Sequence, residues 1–191
     1  MSHIPSAAQT VGPFFNFGLT ANPRLGVIAQ GGAQSQRIGL KIRVTDGDGA
    51  PAPGDCMIEL WQADSAGRYA HALDPDSADR DKEFCGFGRL ETDPNGCCAF
   101  DTVKPGRVAG PDGQLQAPHI NVVLFARGLL KHLHTRVYFA GEPANAEDPV
   151  LALVPDERRA TLLAQLDEGE PRTWRFHIRL QGEGETVFFD V

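Results

Sequence analysis

The chain has 191 residues, 41% of them hydrophobic and 23% charged, with a formal net charge of −7. That is enough apolar sequence for one domain with a proper core, and too acidic to offer the basic stripe that nucleic acid requires. The four cysteines, Cys56, Cys85, Cys97 and Cys98, include no Cys-x-x-Cys pair, so four reduced thiols are expected rather than a zinc site or a disulfide framework. No basic region followed by an apolar run opens the sequence. No apolar stretch reaches the ~20 residues of a membrane span. The expectation is a cytoplasmic protein with neither membrane nor nucleic acid as partner.

Residues 1–35 are rich in Gly, Pro, Ala and Asn and predict little regular structure. They also hold Phe14, Phe15 and Phe17, which a disordered arm does not normally carry. This arm is expected to pack on its own domain or on a neighbour, with the domain proper over 36–191. There Ile38, Leu40, Ile42 and Val44 alternate with polar residues and predict a half-buried strand. Asp46-Gly-Asp-Gly49 predicts a turn, and Cys56 to Trp61 a second strand. Gly88 to Thr92 leads into Asp93-Pro-Asn-Gly96, a hairpin signal, with Cys97 to Phe100 returning. Strands follow at about 119–126, 132–140, 173–181 and 185–190. One helix is predicted with Asp156 as N-cap and Leu162, Leu163 and Leu166 on one face. The fold class expected is all-β: an antiparallel β-sandwich with one or two short helices and long loops.

Few residues offer chemistry. His119 and Asn121 stand two apart on a predicted strand and so share a face; a second imidazole there would make a metal pair, but an amide is a poor ligand. Tyr69 follows the strand ending in Trp61 and can reach a site from its loop, whereas Tyr138 lies inside an apolar strand and reads as packing. His132 and His134 form a His-x-His pair whose face continues with Arg136, a poor neighbour for a metal cation. Arg127 sits at the turn between two strands, where a guanidinium is either solvated or available for bidentate recognition of a carboxylate. No Ser-His-Asp arrangement, phosphate loop or dinucleotide fingerprint is present.

Several segments together resemble the intradiol ring-cleaving dioxygenases: Asp46-Gly-Asp-Gly-Ala-Pro-Ala-Pro53, Ile58-Glu-Leu-Trp-Gln-Ala-Asp-Ser-Ala-Gly-Arg-Tyr69, Gly88 to Gly96, Thr102-Val-Lys-Pro-Gly106 and Ala117-Pro-His-Ile120. The N-terminal Ser6 to Phe14 and the C-terminal Ile178 to Asp190 are similar to the α-type chains of members built from α and β chains. The resemblance implies a non-haem Fe(III) held by two tyrosines and two histidines. Carried over, these positions are Tyr69, Val108, His119 and Asn121, so two of the four are not ligands. An arginine expected before the first histidine is Gln116. The Fe(III) is therefore expected in the β subunit, and no metal in this chain. The same resemblance assigns Thr10, Gly12 and Pro13 from the arm, together with Arg127, to the wall of a substrate pocket at the αβ boundary. Phe14 stands where such chains commonly have a tyrosine. The activity implied is O₂-dependent cleavage of a small aromatic substrate, 3,4-dihydroxybenzoate, within a higher-order αβ oligomer. This chain alone is not expected to be active.

Two rival readings remain at this stage. A transthyretin-like binding or scaffolding module accounts for the strands but not for the motif agreement. A self-sufficient catechol-cleaving enzyme is opposed by Val108 and Asn121.

Overall fold

Alternation along the strands builds the interior. In the first strand Leu40, Ile42 and Val44 are wholly buried while Lys41 and Arg43 between them face solvent. The same period places Ile120, Val122 and Leu124 of another strand inside, with His119 and Asn121 on its opposite face. Truncating one of these wholly buried leucines or isoleucines to alanine is expected to cost about 2–5 kcal/mol.

The computed structural model describes residues 6–30, 37–52, 56–74, 76–110 and 113–190. Its helices are α1 (Pro13–Thr20) and α2 (Asp156–Arg159). Its strands are β1 (Arg37–Thr45), β2 (Met57–Trp61), β3 (Phe87–Glu91), β4 (Cys97–Val103), β5 (Val108–Ala109), β6 (Leu115–Gln116), β7 (His119–Phe125), β8 (Leu133–Phe139), β9 (Leu163–Leu166) and β10 (Thr173–Arg179). β5 and β6 form a separate ribbon. The other eight make one sheet in the order β3-β2-β7-β8-β9-β10-β1-β4. β1 runs parallel to β10, and β8 parallel to β9; the remaining pairs are antiparallel.

The all-β class with two short helices holds, but the antiparallel sandwich does not: the sheet is mixed and curls into a nearly closed barrel. One short segment accounts for the difference. Without β9 the strands would fall into two sheets, β3-β2-β7-β8 and β10-β1-β4. β9 pairs with β8 through Tyr138–Leu163 and Phe139–Ala164, and with β10 through Trp174–Leu166 and Arg175–Gln165. On the far side, buried Gln62 reaches across from the end of β2. Its amide donates to the Val103 carbonyl (3.0 Å) and its oxygen accepts from Thr102 Oγ (2.8 Å), both on β4.

Other sequence expectations change with it. The predicted long helix stops after one turn. Pro155, not Asp156, is the N-cap, a 3-10 turn follows over Ala160–Leu162, and Leu163–Leu166 is the strand β9. Leu162 is buried and Leu166 half exposed, so the leucines do not share a helical face. The Asp93–Gly96 turn forms, with Asp93 N–H on Cys97 O (2.7 Å) and Gly96 at φ +73. Yet β3 pairs with β2 and β4 with β1, so it is a corner that carries the chain between opposite sheet edges, not a hairpin. A Cβ on Gly96 would run into the Val44 carbonyl. Residues 185–190 make no strand; Phe189 contributes one bridge to His134. The arm is less irregular than predicted, since Pro13 opens α1. Its residues 1–5 and 31–35, and residue 36 after it, lie outside the described residues. All four cysteines are free thiols, Cys56 buried and Cys85 exposed.

Candidate functional site

The residues singled out in the sequence collect at the two ends of β7. At its start lies the first group. Asp64 folds the loop after β2 by accepting the N–H groups of Ala66 (2.9 Å), Arg68 (3.0 Å) and Asp81 (3.0 Å). Gly67, at φ +84, passes so close to the Arg107 carbonyl that no Cβ fits. The loop then brings Tyr69 back over Trp61, rings stacked at 5.9 Å, with its backbone N–H on Asp74 Oδ2 (2.6 Å). Trp61 is the cross-strand partner of Asn121, whose amide donates to the Trp61 carbonyl at 3.3 Å. Val108, buried on β5, lines a cavity of about 570 Å³ with Trp61, Tyr69, His71 and Asp74. Tyr69 and Val108 line this cavity, and His119 and Asn121 share one face of the adjacent β7.

His119 is 3% exposed. Its Nδ1 lies 2.8 Å from the Ala117 carbonyl. A carbonyl can only accept, so Nδ1 carries the proton and Nε2 keeps the lone pair. Across the strand pair, Tyr138 stands opposite His119 and Arg136 opposite Asn121, all on the same face. Arg136 donates to Gln116 Oε1 at 2.7 Å and lies 3.4 Å from the Tyr138 hydroxyl. That hydroxyl donates to buried Asp148 (3.1 Å). Burial, then the Arg136 charge, push the His119 pKa down to about 4, against smaller opposing effects of the Ala117 carbonyl and Asp148. Burial raises the Tyr69 phenol, while Arg136 and a hydrogen bond with Asn121 pull it back. Sequence reasoning noticed Arg136 only as a bad neighbour for His134, and missed its place opposite Asn121. It also missed Asp148, which has no local motif.

The second group sits at the other end of β7. Ala126–Leu129 is a tight turn closed by Leu129 N–H on Ala126 O (3.2 Å), with Gly128 at φ +93 and Arg127 exposed at its tip. Gly128 N–H donates to Thr10 Oγ at 2.7 Å. Phe15 of α1 packs on Phe125 at 5.4 Å, and Phe125 on His132 at 5.3 Å. Thr10, Gly12, Pro13 and Arg127 thus share one corner. From His119 to Phe125 the strand rises about 20 Å at ~3.3 Å per residue, so this corner is remote from the chain's own Tyr69–His119 face. His132 and His134 lie edge to face at 4.8 Å.

A family model described as a dioxygenase matches residues 11–182. The chain belongs to the intradiol dioxygenase family. A "Protocatechuate 3,4-dioxygenase alpha chain" from Burkholderia cepacia is 45% identical over 96% of this chain and 96% of its own. A "Protocatechuate 3,4-dioxygenase beta chain" from the same organism is 34% identical over 94% of this chain and 77% of its own. A solved 3-chlorocatechol 1,2-dioxygenase from Rhodococcus opacus superposes with a TM-score of 0.64 at 20% identity, over 94% of this chain and 68% of its own, a likeness of fold.

The family depends on iron, and the residues present here do not fit it. A ferric ion needs anionic oxygen donors. Val108 supplies no donor, Asn121 only an amide, and Arg136 sets a positive charge directly opposite Asn121. Among the described residues, no group of three or more His, Cys, Asp or Glu side chains is placed to hold a metal ion. Nor is any helix there long and apolar enough to cross a membrane.

Proposed function

We propose that this chain is the α-type subunit of an αβ intradiol dioxygenase. The reaction is cleavage of 3,4-dihydroxybenzoate (protocatechuate) by O₂ to 3-carboxy-cis,cis-muconate, a step of aromatic catabolism in the β-ketoadipate pathway. The Fe(III) belongs to the β-type partner. This chain lends Arg127, with Gly12 and Pro13 beside it, to the wall of the partner's substrate pocket.

The observation that carries this reading is the separation along β7. The turn that carries Arg127 follows Phe125, about 20 Å of strand beyond His119, and the His119 face holds a guanidinium instead of a full ligand set. A carboxylate-recognising arginine at this corner serves a neighbouring subunit's site. The arm over residues 1–35 supports the same arrangement. α1 packs Phe15 inward, while Phe14 and Phe17 are 86% and 65% exposed, available to a partner.

Steady-state kinetics of the complex with a β-type chain test the assignment. A charge-assisted hydrogen bond to the substrate's carboxylate contributes about 1.5–3 kcal/mol. At ~1.4 kcal/mol per decade, Arg127→Ala is expected to raise KM for 3,4-dihydroxybenzoate roughly ten- to a hundred-fold. Catechol, which lacks the carboxylate, should be little affected. Equal losses on both substrates would remove Arg127 from the pocket wall.

A further inference from the structure

The Thr10 hydroxyl touches the backbone on both sides of Arg127. It accepts from Gly128 N–H at 2.7 Å and donates, at a longer 3.5 Å, towards the Ala126 carbonyl. These contacts span 118 and 116 residues of sequence, so they join the arm to the turn. The turn needs such a tie. Gly128 at its third position takes φ +93, and a Cβ there would meet nothing within 4 Å; glycine in open space has more backbone freedom than any other residue. Phe15 on Phe125 fixes the arm three residues into α1, which sets Thr10 against the turn. The resemblance to the family assigns Thr10 to the substrate wall. Here one of its lone pairs is committed to the turn by the 2.7 Å bond from Gly128 N–H.

We infer that Thr10 is a positioning residue, whose hydroxyl holds the Ala126–Gly128 backbone so that Arg127 is presented to the carboxylate of an aromatic substrate in the partner's site. This rests on the function proposed above. The hydroxyl acts on the acid-bearing substrate only through Arg127.

The test is a double-substitution cycle in the αβ complex, read on 3,4-dihydroxybenzoate and catechol. Thr10→Val keeps the shape and removes the hydroxyl; Thr10→Ser keeps the hydroxyl. Thr10→Val should raise KM for the acid several-fold, leave its kcat little changed and leave catechol unchanged. Thr10→Ser should restore KM. In an Arg127→Ala background, Thr10→Val should add nothing. If Arg127→Ala raises KM and Thr10→Val does not, the inference fails while the proposed function stands. If Arg127→Ala has no effect, the proposed function fails and takes the inference with it. An undiminished Thr10→Val penalty in the Arg127→Ala background would make Thr10 a direct substrate contact. Equal loss on both substrates, or loss of αβ assembly on size exclusion, would make it an interface residue. Either result overturns the inference.

Discussion

Arg136 decides what the face around His119 can be. Its guanidinium stands across the strand pair from Asn121 and repels any cation placed there. The guanidinium is held in place by Gln116. It also helps keep His119 neutral. The folded-state pKa of His119 is depressed to about 4 from 6.5, so the unfolded chain takes up this proton first as pH falls. The stability that neutral His119 contributes is complete above pH 6.5 and is lost towards pH 4, amounting to about 3 kcal/mol. Urea unfolding at pH 7 and pH 4.5 should therefore show a larger acid loss in the native sequence than in His119→Asn. Identical losses would show that His119 does not carry this pH dependence.

Among the elements, β7 and the loop of residues 143–154 matter most. The loop is pinned by Asp148, which is 1% exposed. One carboxylate oxygen accepts from Ala117 N–H (2.7 Å), the other from Val150 N–H (3.0 Å), Leu151 N–H (2.7 Å) and the Tyr138 hydroxyl (3.1 Å). Asp148→Ala removes the acceptor of all four donors, of which Val150 N–H is only partly buried. At ~1–3 kcal/mol for each that stays dry, the loss of unfolding free energy should exceed about 3 kcal/mol in a urea titration. A loss below about 1 kcal/mol would mean that the loop is held elsewhere. β7 and β8 were legible from sequence because their alternation is local. β9 was not: Leu-Ala-Gln-Leu has no alternation to mark it, follows directly on the 3-10 turn after α2, and pairs in parallel with β8 across an intervening loop. α1 was hidden because Phe-Phe-Asn-Phe-Gly is poor helix sequence, leaving Pro13 at its first turn as the signal. At the candidate site, Tyr69, Val108, His119 and Asn121 were singled out as a set by motif resemblance alone, since no local pattern marks Val108 or Asn121. Arg136 was not placed opposite Asn121, because cross-strand register sets that neighbourhood and a linear sequence does not display it.

At the scale of the whole molecule, the chain is an intradiol dioxygenase family member with the face around His119 and the Arg127 corner at opposite ends of one strand. The first is closed by an internal Gln116–Arg136 pair and a buried aspartate. The second is exposed, with Arg127 at the tip of a turn and Phe14 and Phe17 beside it on the arm. Such a division makes sense for a subunit that completes a neighbour's site. The most direct measurement is metal content and turnover of the chain expressed alone in iron-replete medium, against the same chain copurified with a β-type partner. The account predicts no stoichiometric iron and no cleavage of 3,4-dihydroxybenzoate for the chain alone, with both appearing in the complex. One tightly bound iron per chain, or ring cleavage without a partner, would contradict it.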